Sequence, residues 1–323
     1  MISLDLVIPT YNRPDLLALT LNSVAQASVP ADMALRVIVA DNNSTPERQE
    51  ANKAAIAKSP LSNIVYLSER RQGRSWALNT GIQESSADYV GFIDDDEKMD
   101  VNWLEVIAVY LREARIDYIG GPCKPDWAAQ APNWLPVHVG KYRGVLGWIE
   151  QSPTARPFDD FDGNLCGGNC VIRRSALLEV GGFSTMVGRS SNNLMVGEDD
   201  ELQRKLRANG KLGMYDPALI IYHLIPIQRM TRKYHIRWAF WSGVSNGVRL
   251  NWLPSEPVAS LFGLPRYRFG QGAYGLLLWL RRLLSVKDRA QAEGFAGLLD
   301  TVYLCGTIYG KHFFNRTKEA SKT

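Results

Sequence analysis

An α/β fold, with a mostly parallel sheet flanked by helices and a helical carboxyl-terminal extension, is what this 323-residue sequence predicts. Three observations predict it. Through residue 121 short apolar runs alternate with helical segments, the pattern of βαβ units. Hydrophobic residues make up 46% and charged residues 22%, a globular balance that excludes a disordered chain. Beyond Pro226 the chain turns basic, aromatic and helical. The expected division is therefore residues 1–225 as one domain and residues 226–323 as a helical region.

Leu4 to Pro9 reads as the first strand, and the helix from Pro14 sets Leu17, Leu21 and Val24 on one face. Leu35 to Ala40 makes a second strand ending in "DNNST", followed by a polar helix from Pro46 to Lys58. The run "NIVYLS" is a third strand, and "RRQGRSWALNTGI" follows it. Tyr89 to Ile93 is too short for a helix and rich in strand formers, so it reads as a buried strand with acids at its carboxyl end. A helix from Val101 to Arg115 and the strand "IDYIGG" come next. From Pro122 to Gly163 tryptophans lie among prolines and glycines with little periodicity, a long irregular segment. "GGNCVIRRSALLEVGGF" reads as a strand, a short helix and a turn; "GEDDELQRKLRANG" is a helix with first-turn acids and Gly210 just past its end. Tyr215 to Leu224 is a strand region, and helices are expected from about Gln228 to Leu250 and from Gly272 onward.

Several classes of function drop out. The net charge of +4 is mild and its basic residues gather in the last third, which suggests a local anionic contact and not a nucleic-acid-binding protein. Four cysteines form no CxxC pair and no zinc set, so a reducing cytoplasm is the expected compartment. The first strand begins at once, without a basic-then-apolar leader, and no run is long enough to span a bilayer. Neither GxGxxG after the first strand nor GxxxxGK[ST] is present, which removes the main warrant for a dinucleotide or P-loop site.

The acids Asp94, Asp95, Asp96 and Glu97 repel one another unless a cation sits among them. A solvated loop is one reading. A calcium loop is a second, but Met99 stands where its turn needs glycine and Lys98 where it needs an oxygen ligand. The third is a carboxylate pair, Asp94 and Asp96, holding a divalent metal that a substrate phosphate shares.

Six fragments narrow the choice. "VIPTYNRPDLLALTLNSV", "VIVADNNST", "GRSWALNTGI", "VGFIDDDEKMDVNWLE", "GGNCVIRRSALLEVGGF" and "GEDDELQRKL", in that order over residues 3 to 225, resemble the signature of family 2 glycosyltransferases with the GT-A fold. The resemblance implies a nucleotide site at Pro9, Tyr11, Arg13, Asp41 and Asn43, with Asp41 toward the base and Arg74, with Arg71 as second choice, toward the diphosphate. An Asx-turn or helix cap is the competing reading of Asp41. "DDDE" is similar to the family's DxD motif, which implies nucleotide contacts at Asp94 and Asp95 and a metal, Mn2+ or Mg2+, on Asp96 with His223 as an added metal or phosphate contact. Asp199 would be the catalytic base, kept ionised by its helix amino terminus, with Gly168, Asn169 and Glu198 on the acceptor side. First-turn acids that merely stabilise the helix are the alternative. "YHIRW" lacks the Gln of the processive polymerases' QxxRW, so a single sugar is expected to move.

The implied activity is an inverting, metal-dependent transfer from a nucleotide-diphosphate sugar to a saccharide or lipid-linked acceptor. A sugar nucleotidyltransferase and a non-catalytic carbohydrate-binding protein are its rivals. Near the carboxyl terminus "YRFGQGAYGLLLWLRRLLSVKDR" joins leucines to a basic edge, and "FAGLLDTVYLCGTIYGKHFFNR" repeats the mixture. Such a helix either packs its leucines as core or lies on an anionic membrane surface, and peripheral attachment to the cytoplasmic face is the expectation.

Overall fold

The computed structural model describes residues 1–137, 140–161, 163–189, 193–251, 259–285 and 287–314; Asn315 and Arg316 of the last motif lie outside them. Contacts divide the chain into two units. One comprises Met1–Asp126, Gly147–Thr185 and Glu198–Leu224; the other comprises Trp127–Leu146, Met186–Gly197 and Ile225–Thr323. The second unit thus takes in two segments from within residues 1–225.

In the first unit the elements run β1 (Ile2–Thr10), α1 (Pro14–Gln26), β2 (Met33–Asp41), α2 (Pro46–Ala57), β3 (Ile64–Ser68), α3 (Arg74–Glu84), β4 (Tyr89–Phe92), β5 (Glu97–Met99), α4 (Trp103–Glu113), β6 (Tyr118–Gly120) and β7 (Cys123–Trp127). They continue with β8 (Arg156–Pro157), β9 (Cys170–Arg173), α5 (Arg174–Glu179), α6 (Glu198–Ala208), β10 (Gly213–Tyr215) and β11 (Ile221–Ile225). An eight-stranded sheet has the order β3-β2-β1-β4-β9-β6-β10-β8. Its β3-β2-β1-β4 half is parallel, whereas β9 runs antiparallel to both β4 and β6. Leu4, Leu6 and Ile8 on one face of β1 and Val7 on the other are fully buried, so β1 is covered on both sides and reads as a continuous apolar run. Chain order reverses between β1 and β4, and that switch point is where open α/β sheets bind ligands at the carboxyl ends of their strands.

A second sheet, β5-β11-β7, has no counterpart in the sequence reading. Its β5 pairs antiparallel with β11, so that His223 stands opposite Glu97. The irregular segment contains β7, a 3-10 turn at Gly140–Leu146 and β8. In the second unit lie α7 (Arg232–Arg249), the hairpin β12 (Ser260–Leu261) and β13 (Leu264–Pro265), α8 (Arg266–Arg282) and α9 (Asp288–His312). Helix α8 begins at Arg266, earlier than the Gly272 expected, because Pro265 supplies its start.

Candidate active site

Three strand ends converge. The loops after β1 and β2 are stitched together: the Asn12 N–H donates to Ser44 Oγ at 2.8 Å, and the Thr45 N–H to Asn12 Oδ1 at 2.9 Å. Pro9 is buried in β1, Tyr11 is 37% exposed, and Asn43 is exposed with a left-handed φ of 62°. Asp41 is fully buried, its Oδ1 accepting the Ser44 N–H and its Oδ2 accepting from Asn52 Nδ2 (2.7 Å) and the Tyr66 hydroxyl (3.0 Å). Asp41 thus closes the turn after β2 through the N–H three residues on and fixes Tyr66 beside it.

The four consecutive acids have four different environments. The Asp94 N–H donates to Glu97 Oε2 at 2.8 Å, and the Asp94 carboxylate takes Arg74 Nε at 2.9 Å and Nη2 at 2.8 Å. Asp95 is buried, accepting from Thr10 Oγ1 at 2.8 Å and Arg13 Nη1 at 3.1 Å. Burial pushes its pKa up to about 7, with the Asp96 charge adding to the rise and Arg13 opposing it. Asp96 lies between Arg13 Nη1 at 3.2 Å and His223 Nε2 at 3.7 Å. Glu97 points inward beside Cys123, and burial, followed by the charge of Asp94, pushes its pKa well up. Of the run, Asp94 is the one whose side chain reaches the surface, whereas Asp95, Asp96 and Glu97 are largely buried.

Arg74, the first residue of α3, draws in the opposite wall. Its guanidinium is 15% exposed and sits 3.3 Å from both Glu198 Oε1 and Asp199 Oδ1 as well as on Asp94. Asp199 lies against Gly167, where an added Cβ would collide with its carboxylate. Burial raises the Asp199 pKa to about 7, against the lowering effect of Arg74 and with help from the Glu198 and Asp94 charges. The helix amino terminus therefore does not set its titration, as the sequence reading had it; desolvation and the neighbouring carboxylates outweigh it.

Gly168 and Asn169 do not open onto the cleft. The space above Gly168 is filled by the Glu97 carboxylate. Asn169 is fully buried, accepting from Trp103 Nε1 at 2.7 Å and donating to the carbonyls of Pro122 (2.9 Å) and Leu219 (2.6 Å). Both residues build the floor beneath the acids. Arg71 is bound to Glu69 and stacks on Trp76, its guanidinium 3.9 Å from the ring centroid. Thr20, which no motif singled out, donates its hydroxyl to the carbonyls of Asp95 (2.9 Å) and Glu97 (2.7 Å) and so fixes the acid loop. A polar residue in the buried stripe of Leu17, Leu21 and Val24 was its signal. A cavity of about 350 Å³ beside Met1, Asp32 and Arg173 lies at the far, amino-terminal ends of β1 and β4 and gathers none of these groups.

Residues 5–181 match the family model described as glycosyl transferase family 2. The chain belongs to that family. It is a glycosyltransferase, and its mixed sheet with a helical carboxyl-terminal region has the GT-A architecture. Among its relatives, the succinoglycan biosynthesis protein ExoM of Rhizobium meliloti is 27% identical over 76% of this chain and 74% of that protein. A glucosyl-dolichyl phosphate glucuronosyltransferase of Haloferax volcanii is 25% identical over 76% of each. The mannosyltransferase PcManGT of Pyrobaculum calidifontis, solved with GDP-Man and Mn2+, superposes with a TM-score of 0.64 at 17% identity, covering 96% of this chain and 88% of that one.

In this family 2 glycosyltransferase no three His, Cys, Asp or Glu side chains form a ready metal cage among the described residues. The donor set fits a shared ion all the same. Asp96 and His223 stand together at one edge of the acid loop, and a hard divalent cation completes its shell with phosphate oxygens. The carboxyls of Asp94, Asp95, Asp96, Glu198 and Asp199 gather around two guanidiniums, those of Arg13 and Arg74.

Proposed function

We propose that this glycosyltransferase moves one sugar, with inversion, from a nucleotide-diphosphate sugar to a saccharide or lipid-linked acceptor, in cell-surface polysaccharide or glycan biosynthesis on the cytoplasmic side of the membrane. One observation carries the reading: Asp94, in the acid run after β4, and Asp199 are drawn to a single guanidinium, Arg74, at the switch point of the sheet. The names of the ExoM and glucuronosyltransferase relatives support the pathway class.

The nucleotide would lie over Pro9, Tyr11 and Asn43, against the wall that Asp41 and Tyr66 make. Arg74 would leave its carboxylates for the diphosphate, which offers a guanidinium the same bidentate partner. Held by Asp96 and His223, a Mn2+ or Mg2+ ion would neutralise the charge that builds on the departing diphosphate. Asp199 takes the proton of the acceptor hydroxyl as its oxygen bonds the sugar carbon and the nucleoside diphosphate leaves from the opposite side. A base with a pKa of about 7 suits that task at neutral pH. Glu198, which shares Arg74 in the ligand-free protein, would line the acceptor side beside the base.

Purified protein incubated with a panel of nucleotide sugars should release nucleoside diphosphate, and excess chelator should stop it. Asp96→Asn should lose metal-linked donor binding while melting like the parent. Release of pyrophosphate would instead identify a nucleotidyltransferase, and turnover untouched by chelator would remove the metal from the scheme.

A further inference from the structure

The helices of the second unit pack in an unusual way for water. Gly243 and Gly247 of α7 lie against the α9 backbone at Tyr303 and Thr307, and Gly306 and Gly310 of α9 lie against the α7 backbone at Phe240 and Val244; a Cβ at any of them would strike a carbonyl. Helix α8 meets α9 in the same manner through Gly275 and Gly297, and the Thr301 hydroxyl donates across to the Gly272 carbonyl at 2.9 Å. Small residues four apart, close backbones and interhelical hydroxyl bonds are how helices associate in lipid, where apolar side chains gain nothing by turning inward.

The consequence lies on the other side of α8. Gly272 and Gly275 take the inner face, and large apolar residues face out: Tyr274 is 65% exposed, Leu277 44%, Leu280 54% and, just past the helix, Leu284 91%. Positions 274, 277, 280, 281 and 284 recur at helical spacing, forming one stripe. The reading in which these leucines pack as core is not what the structure shows. Residues 259–287 contain no Asp or Glu, but they include Arg266, Arg268, Arg281, Arg282 and Lys287. Arg281 and Arg266 are exposed, whereas Arg282 is paired with Glu293.

We infer that α8 is an interfacial helix that docks its leucine stripe on an anionic lipid bilayer. Lipid is the occupant the charge selects, because the exposed Arg266, Arg281 and Lys287, in a stretch with no acid, complement a negatively charged surface and repel a second copy of themselves. The helix lies along the surface, since among the described residues no helix is long and apolar enough to cross a membrane. This inference rests on the carboxyl-terminal helices alone and stands apart from the assignment of the sugar-transfer site.

The test is sedimentation of the full chain with vesicles of phosphatidylcholine containing phosphatidylglycerol, and with phosphatidylcholine alone. Binding should appear with the anionic vesicles and weaken as salt rises. Leu277→Glu with Leu280→Glu should abolish it, and Arg281→Glu should weaken it by roughly fivefold or more. Nucleotide-sugar hydrolysis in the absence of lipid should be unchanged in these variants, which separates failure of the docking face from failure of the catalytic reading. Circular dichroism checks that each variant is folded; should the double variant not fold, Leu284→Glu, on the most exposed leucine, replaces it with the same expectation. The inference is overturned if the parent stays in the supernatant with anionic vesicles, if the leucine variants bind as the parent does, or if light scattering shows a dimer that the leucine variants break without any vesicle binding.

Discussion

Arg74→Ala removes the guanidinium that holds Asp94, Glu198 and Asp199 together, and its effect follows from the geometry. The arginine side chain is 15% exposed, and its contacts to the three carboxylates span 2.8 to 3.3 Å. Breaking a buried ion pair from one side costs about 3–5 kcal/mol, because the remaining charges stay desolvated without a partner. Protonation limits the loss here, since Asp199 already titrates near 7. We therefore expect about 3 kcal/mol at mildly alkaline pH, a fall in Tm of about 6–12 °C for a unit of this size. The pH dependence has a definite sign. Without Arg74 the folded-state Asp199 pKa rises further above its unfolded value, so the folded protein holds the additional proton and stability falls as pH rises toward and through the folded pKa. The deficit relative to the parent should be largest above about pH 7 and shrink toward about pH 5. Thermal melts across that range decide it, and Arg74→Ala measured in an Asp199→Asn background should cost visibly less than alone. A deficit of under about 1 kcal/mol, one independent of pH, or strict additivity with Asp199→Asn would refute the argument that Arg74 is the counter-charge of this cluster.

Other outcomes follow from the same contacts. Asp199→Asn should leave donor affinity nearly unchanged and slow transfer by on the order of 10² to 10⁴; in the parent, activity should be lost as pH falls through about 7, and that limb should vanish in the variant, as pH–rate profiles would show. Gly147→Ala should weaken divalent-metal affinity and cost about 1–2 kcal/mol of stability, because the new Cβ would lie 2.6 Å from His223 Nδ1 at a residue whose φ is +67°; titration calorimetry with Mn2+ on the folded variant reads the change, and unaltered affinity would take His223 out of the metal site. Arg13→Ala should strengthen the binding of Mn2+ in the absence of nucleotide by on the order of tenfold, since Arg13 Nη1 stands 3.2 Å from Asp96 Oδ2; equal affinity in parent and variant would count against Asp96 as the ligand.

The first half of the fold was legible because β1, β2 and β4 are buried on both faces and so announce themselves as short apolar runs between helices. The acid loop was legible because like charges at a strand end are costly without a function. What the sequence hid were long-range partners. Nothing local marks Asp41 as the acceptor for Asn52 and Tyr66, or Asn169 as the tie between Trp103, Pro122 and Leu219. Strand β5 was invisible because Glu97–Met99 is three residues long and carries two charges, and only its pairing with β11 makes it a strand. The glycines of α8 concealed its true start, since Gly270, Gly272 and Gly275 lower helix propensity by about 1 kcal/mol each relative to alanine. The contacts of Gly272 and Gly275 with α9 outweigh that propensity in the fold.

The acids of the cleft were first read as a demand for a metal, and the ligand-free protein answers part of that demand with arginine. Arg13 bridges Asp95 and Asp96, and Arg74 bridges Asp94, Glu198 and Asp199. A cation arriving alone at Asp96 meets the Arg13 guanidinium and is repelled. A diphosphate arriving alone meets Asp94 and Asp96 and is repelled in turn. A diphosphate that drew the guanidiniums off the carboxylates would free Asp96 for a cation, so each ligand would neutralise what opposes the other. The two ligands should therefore bind with positive coupling, and linkage makes that coupling reciprocal, so the factor by which Mn2+ tightens the nucleotide must equal the factor by which the nucleotide tightens Mn2+. The arginines would then make the donor complex, and not either of its parts, the preferred ligand of the cleft.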